Sequence, residues 1–459
     1  MRKRADQDCV RRWSGVPGVL AVSGLLVVLA LSGPARASET TATTTRVYGS
    51  TTTYFLQRQV LDPSDPTSRL YQMPIYEYLT VGADAVGVPG FSIHLSGWGN
   101  LNLLNRAGGD WFDGDLLVGT LSYRCPKGRF EVRLGRQILY EGAGNNAMMD
   151  GLYLKVRPGA NVELSAFTGW VPYQGFDFAL DRIVFGGRVA YNPWDWGRIG
   201  VSYTGQRADG QFDRSNLGFD YALRYRSNLE FSGYVLADMV SATFQETRNA
   251  LSYLLGRDWR FTLDYGTFNP SGRIPKTSIF SVFTSARYHR VGADVTYRGA
   301  GWLGASLYGR YYHYEGDDPG YEVGFRPVLR FDHKGYGNQV GLEVARLKGF
   351  GNAYTQARLF GIWRPLKGFQ LTADVDNYFY DDGVRGWEAW RTADPGATTA
   401  YVFSDGGYRR SHIVGMTAGY EVFEGARLQG DVSVAVNPDF RQAWSGLIKF
   451  HYEFAVRPK

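Results

Sequence analysis

From Val47 onwards the chain repeats one pattern: a segment of about ten residues alternates apolar and polar side chains, a tight turn follows, and a second such segment leads into a longer polar loop. Phe91, Ile93 and Leu95 alternate with Ser92, His94 and Ser96, and Phe130, Val132 and Leu134 with Arg129, Glu131 and Arg133. Phe369, Leu371, Ala373 and Val375 alternate with Gln370, Thr372, Asp374 and Asp376, and Leu428, Gly430, Val432 and Val434 with Gln429, Asp431, Ser433 and Ala435. Side chains of a strand point to opposite faces in turn, so each segment presents one apolar face and one charged or small face.

The turns are built from residues that supply hairpin backbone angles: Gly87-Val88-Pro89-Gly90, Cys125-Pro126-Lys127-Gly128, Arg157-Pro158-Gly159-Ala160, Arg226-Ser227-Asn228, Gly256-Arg257-Asp258, Pro365-Leu366-Lys367-Gly368 and Phe423-Glu424-Gly425-Ala426. Between them lie expected loops at 60–73, 105–113, 140–149, 172–182, 207–213, 268–281, 314–321 and 381–410. Alternate short and long connections are the asymmetry of a membrane barrel, with short periplasmic turns and long outer loops. The fold class that follows is all-β: a single transmembrane antiparallel up-and-down β-barrel of about 22 strands, within a range of about 16 to 22. The count is loose because 239–255 and 321–347 alternate poorly, and Pro327 demotes its segment or marks a bulge. A soluble two-sheet sandwich would bury the same apolar face. Segment length favours the membrane, as do the aromatics near segment ends: Trp98, Tyr123, Tyr140, Trp170, Tyr191, Trp194, Trp196, Trp302, Tyr311 and Trp363.

Residues 1–37 read as a cleaved export signal. Arg2, Lys3, Arg4, Arg11 and Arg12 precede an apolar run from Val16 to Leu31, and Ala35-Arg36-Ala37 offers the small side chains of a cleavage site. The apolar run is too short and interrupted for a spanning helix, which needs about 20 apolar residues. This division leaves 38–459 as the barrel, in the outer membrane of a Gram-negative cell. Its partners are then outer-membrane lipid, lipopolysaccharide and the barrel-assembly machinery, with a periplasmic export or electron-transfer partner as a further expectation.

Composition changes the picture little. Of 50 basic and 44 acidic residues, the signal holds six and two, which leaves 44 and 42. Such a balance supplies no concentrated basic face for a nucleic-acid partner. Cys125 is the single cysteine after the signal, so no internal disulfide is expected. The six histidines are scattered without metal-ligand spacing, and neither a Gly-x-Ser-x-Gly elbow nor a phosphate-cradling glycine loop is present. No enzyme, metal or cofactor is expected.

If the apolar face meets lipid, the other face lines the lumen. It carries Glu77, Asp84, Asp115, Glu131, Arg133, Lys155, Glu163, Arg188, Arg224, Arg260, Asp264, Asp294, Arg310, Arg358, Asp374 and Asp431. Charges of both signs keep such a wall hydrated, and opposite charges can pair across strands. A narrowing of this lumen is expected from residues 381–410, where Trp387, Glu388, Trp390, Arg391, Tyr408, Arg409 and Arg410 set aromatic rings beside acids and arginines, a combination suited to a sugar-like or other polar ligand. No globular plug is expected before the first strand.

Arg133-Leu134-Gly135-Arg136-Gln137, followed by Asp150-Gly151-Leu152 on the next strand, resembles the Gly-Arg-Gln…Asp-Gly pattern of alginate-export-like barrels and related porins. The resemblance implies a charged lumen that conducts an anionic polysaccharide or small organic acids, with Arg133, Arg136 and Gln137 facing it. Arg136 shares the face of Val132 and Leu134, so either a bulge turns it inward or it stands above the lipid band. Two function classes follow: a channel for hydrophilic solutes or an exported polysaccharide, and a scaffold that sheathes a partner such as a multihaem cytochrome.

Overall fold

The computed structural model describes residues 45–61, 69–104, 111–172, 180–269, 287–316, 318–349, 353–381, 410–436 and 443–456. The export signal lies outside the described residues. The chain forms β1 (Arg46–Leu61), β2 (Arg69–Gln72), β3 (Pro74–Asp84), β4 (Phe91–Asn102), β5 (Phe112–Arg124), β6 (Phe130–Glu141), β7 (Asn145–Val156) and β8 (Val162–Trp170). Next come β9 (Arg182–Trp194), β10 (Gly197–Ala208), β11 (Gln211–Tyr225), β12 (Leu229–Asp238), β13 (Thr243–Leu255), β14 (Trp259–Phe268), β15 (Tyr288–Tyr297) and β16 (Leu303–Tyr314). The last are β17 (Gly320–His333), β18 (Tyr336–Lys348), β19 (Ala353–Trp363), β20 (Phe369–Tyr380), β21 (Arg410–Phe423), β22 (Ala426–Val436) and β23 (Ala443–Val456).

Consecutive strands pair antiparallel, and β1 pairs with β23 from Val47↔Val456 to Arg58↔Ser445, which closes the sheet on itself. In lipid this closure is obligatory, because an open edge would leave backbone donors and acceptors without partners. The 23 strands make 22 staves. Arg58↔Gln72 and Phe55↔Ile75 share one register, so β2 and β3 are a single stave interrupted at Met73 and Pro74, where proline has no N–H for the ladder. Pro327 acts in the same way. It neither removes its strand nor makes a bulge: β17 pairs with β18 on either side of it, at Phe325↔Val344 and Val328↔Gly341, in unchanged register.

Alternation sorts the faces as the pattern predicts. Leu95, Val189, Leu263, Val291, Leu307, Leu359, Val432 and Ile448 are each 50% or more exposed and lie on the outer face. Trp194 and Trp196 stack at 4.4 Å near the short-turn rim, with Trp302 and Trp363 on the same girdle. Trp111, Trp170, Tyr311 and Trp444 mark the opposite rim. Two aromatic girdles around an apolar band are the signature of a barrel seated in a bilayer. Three positions depart from expectation. Trp98 falls on the inner face, against Tyr76 at 6.4 Å, because it alternates with the outward Leu95. Glu77 falls on the outer face with Leu79 and Val81, where the Thr51 and Thr53 hydroxyls donate to its carboxylate. Tyr140 belongs to neither girdle.

Connections at the rim that holds both chain ends are short throughout, as expected. Opposite them, 207–213 is not a loop: β10 and β11 run on to a two-residue turn, Asp209-Gly210, with φ of 50° and 77°. Positive φ at both positions is the tight hairpin turn that matches strand twist.

The face assignment predicts opposite outcomes for adjacent positions. Val432→Arg should set a guanidinium against acyl chains and cost about 2–4 kcal/mol near the midplane. Asp431→Asn keeps an acceptor for the Thr417 hydroxyl and should assemble normally. Heat-modifiable gel migration of the two variants checks this, and normal assembly of the arginine variant would reverse the faces.

Candidate functional site

The inner face is a network of matched charges. Glu131 pairs with Arg124 at 2.8 Å and with Arg133 at 2.6 Å. Lys155 bridges Glu141 at 2.8 Å and Glu163 at 2.9 Å, and Glu163 also takes Arg157 and Arg198. Arg188 pairs with Asp220, and Asp264 with Arg290 at 2.9 Å. Arg310 reaches Asp294 at 3.5 Å and Glu322 at 3.1 Å. Arg358 meets Asp374 and, at 3.8 Å, Asp376. Asp431 accepts from Thr417 and from Gln429 at 3.0 Å. Arg224 and Arg260 sit exposed towards the short-turn rim, with Arg224 3.8 Å from Glu230. Cross-strand pairing therefore brings most of the expected lumen residues together as couples of opposite sign.

The constriction expected at 381–410 is a different matter. Trp387, Glu388, Trp390, Arg391, Tyr408 and Arg409 lie outside the described residues. Arg410 opens β21 on the outer face, its guanidinium 5.6 Å from the ring centre of Phe379, so it does not line the lumen.

The lumen is instead entered by a segment expected to be a surface loop. The β5–β6 ladder stops at Gly119↔Arg136, and the β7–β8 ladder stops at Asp150↔Trp170. Between β6 and β7 pairing continues to Glu141↔Asn145. Residues 137–149 are thus a hairpin paired only with itself, and it leaves the wall. Its tip rests on the inner face of β10: the Gly144 N–H donates to Ser202 Oγ at 2.8 Å, and the Thr204 hydroxyl donates to the Gly144 carbonyl. Ser202 alternates with the outward Val201, 48% exposed, so the hairpin has folded into the barrel. Leu139 and Met149 pack beneath it on Phe167 of β8 and Val184 of β9, a small apolar core inside an otherwise polar lumen. Glu141 accepts from Lys155 Nζ at 2.8 Å, Ser165 Oγ at 2.7 Å and the Tyr153 hydroxyl. The opposite side of the hairpin presents Tyr140, 75% exposed, to the lumen, with Ile138 and Met148 beside it.

The Gly-Arg-Gln…Asp-Gly motif lies at the root of this hairpin. Gly135 adopts φ of 113°, and a Cβ there would sit 2.1 Å from the Gly119 carbonyl oxygen, so only glycine allows the bend. Arg136 is 5% exposed. It pairs with Asp150 at 2.8 Å and Asp115 at 3.1 Å, and it donates to the Leu116 carbonyl at 2.9 Å. That carbonyl belongs to β5 beyond the last β5–β6 pair, so the guanidinium supplies a hydrogen bond the departing strand no longer makes. Gln137 Nε2 donates to the Gly151 carbonyl at 3.1 Å, at the last pairs of the β7–β8 ladder. The parity problem of Arg136 resolves without a bulge in β6, since the β6–β7 register is continuous. The sequence marks 129–137 as strand and 140–149 as loop; nothing in it says that the hairpin leaves the wall, and only the paired glycines Gly135 and Gly151 hint at a bend.

A closed, girdled barrel with a charged interior defines the class: a transmembrane β-barrel. Among the solved structures to which the chain is similar are proteins of Pseudomonas aeruginosa. OpdK, solved with vanillate, is 10% identical over 90% of this chain and 99% of its own, with a TM-score of 0.43. OpdO is 10% identical over 90% and 98%, also at 0.43, and OprE is 9% identical over 90% and 98%, at 0.40. These superpositions are loose, and the class rests on the barrel's own geometry. No family model matches the sequence, and no curated protein does.

Removing one partner of a buried ion pair strands the other. Asp150→Ala should therefore destabilise the barrel by roughly 3 kcal/mol, leaving Arg136 with Asp115 alone. Denaturant unfolding in detergent measures this, and an unchanged midpoint would show that the ion pair does not hold the hairpin root.

Proposed function

We propose that the protein is a channel for small hydrophilic solutes, narrowed by the inward hairpin 137–149. The observation that carries this reading is the hairpin's placement: it is anchored on the inner face of β8–β10 through Phe167, Val184 and Ser202, inside a wall of charged side chains, and turns its own exposed Tyr140 away from that wall. A wall of matched charges binds water and polar solutes without committing the pore to one sign of charge. An exported polysaccharide is a second cargo for such a lumen, and a sheathed electron-transfer partner a third occupant. The hairpin takes up space that a protein partner would need, which favours small solutes. The work asked of the chain is passage rather than chemistry, and no residue is assigned a catalytic role.

Purified protein in a planar bilayer should show stepwise ion conductance. Joining Gln137 to Met149 through a two-residue Asn-Gly turn removes the hairpin and should raise single-channel conductance several-fold, with folding followed by heat-modifiable migration. A folded variant with the conductance of the parent would remove the hairpin from the pathway, and a non-conducting parent and variant would overturn the channel reading.

A further inference from the structure

The bilayer explains the aromatic girdles of the outer face. It does not explain a second set of aromatics on the inner face of β15–β20. Tyr288 lies 6.0 Å from Tyr312 and 5.8 Å from Tyr314, and Tyr312 and Tyr314 stack at 6.2 Å. Tyr354 lies 5.6 Å from Tyr378 and 5.9 Å from Tyr380. Their strand neighbours Val291, Tyr311 and Leu359 are more than half exposed on the outer face, so these six rings alternate inward. All sit in the half of the wall nearest the long loops.

Two strands separate the clusters, β17 with Gly320 and Glu322 and β18 with Ala345 and Leu347 on the inner face. Register places Tyr312 opposite Gly320, and Arg310, Glu322, Leu347, Tyr354 and Tyr380 in one row across five strands. Gly320 and Ala345 are the low points of a floor that also carries Glu322 and Leu347, and the tyrosines flank it on both sides, about 14 Å apart at three strand spacings. Polar groups reach into this groove. Glu322 accepts from the Tyr312 hydroxyl at 3.2 Å, and Gln356 donates to the Tyr378 hydroxyl at 3.3 Å. The bordering arginines are already matched to carboxylates: Arg290 to Asp264, Arg310 to Asp294 and Glu322, and Arg358 to Asp374. An anion entering here would compete with carboxylates already in place, whereas an uncharged polyhydroxylated ring would meet aromatic faces and both donors and acceptors.

We propose that this groove is a binding site for neutral saccharides entering the lumen. The inference rests on the channel reading for access and names its solute class. Pyranose C–H faces stack on the tyrosine rings, and the hydroxyls exchange hydrogen bonds with Glu322, Arg310 and Gln356.

The test uses the full barrel in a planar bilayer, with maltohexaose as the neutral probe and trigalacturonate as the anionic one. Maltohexaose should interrupt the ion current in a concentration-dependent way. Tyr312→Leu and Tyr354→Leu should each raise the half-blocking concentration by about fivefold or more, the scale of a lost aromatic contact. Tyr354→Phe keeps the ring and should block like the parent. Heat-modifiable migration and sugar-free conductance should match the parent in all three. A conducting channel that maltohexaose does not interrupt, or one that trigalacturonate blocks at lower concentration, overturns the saccharide site and leaves the channel standing. Absence of any conductance overturns the channel reading instead. Maltohexaose titration of the barrel's intrinsic fluorescence in detergent then decides the groove separately: a response lost in Tyr312→Leu supports it, and no response overturns it.

Discussion

The unbroken ring of backbone hydrogen bonds is the constraint on which everything else depends. Lipid offers no partner for a peptide N–H or carbonyl, so a sheet can lie in it only when closed. The β1–β23 ladder provides that closure, and each irregularity is confined to what the ring tolerates. Pro74 and Pro327 each interrupt a single ladder without moving its register. The hairpin is the largest departure. Residues 137–149 can quit the wall because β6 and β7 remain paired with each other, and because Arg136 and Gln137 cover backbone carbonyls at the point of departure.

Once the wall is closed, its two faces obey different solvents. The outer face is apolar between two aromatic girdles, and its energetics are those of transfer to hydrocarbon. The inner face is polar, and its charges are held as cross-strand couples, so no long run of one sign develops. In the proposed channel, such a lumen would discriminate by shape and by local chemistry more than by net charge. The hairpin supplies shape on the side of β8–β11, where Leu139 and Met149 anchor it and Tyr140 is exposed. The tyrosines of β15–β20 supply local chemistry on another arc of the wall.

Much of this architecture was legible in the sequence, because a strand with one face in lipid and one in water must alternate. The alternation in β4, β6, β20 and β22 predicted their faces, and the even strand number followed from the pairing of short and long connections. Where legibility failed, the reason was specific. Trp98 looked like a girdle residue because aromatics mark segment ends, but its parity with Ser96 places it inside. Residues 140–149 read as a loop because Gly142, Gly144, Asn145 and Asn146 interrupt the pattern. Alternation reports which face a residue takes; it does not report whether a hairpin stays in the wall. That depends on the ends of the β5–β6 and β7–β8 ladders, which are tertiary facts. The charge couples were legible as individual inward residues, but their partners depend on register between strands. The inner tyrosines do not stand out in the sequence, because a membrane barrel is rich in aromatics at its girdles.

In the channel proposed above the inward hairpin narrows the passage, and thiol chemistry at its exposed residue tests that most directly. In a Cys125→Ser background, Tyr140→Cys should react with a bulky, charged methanethiosulfonate added to the aqueous phase, and the single-channel current should fall on modification. The same reagent should leave the current of a lipid-facing Val432→Cys barrel unchanged. Reaction at position 140 with no change in current, or protection of position 140 from the aqueous reagent, would contradict a hairpin folded into the conducting lumen.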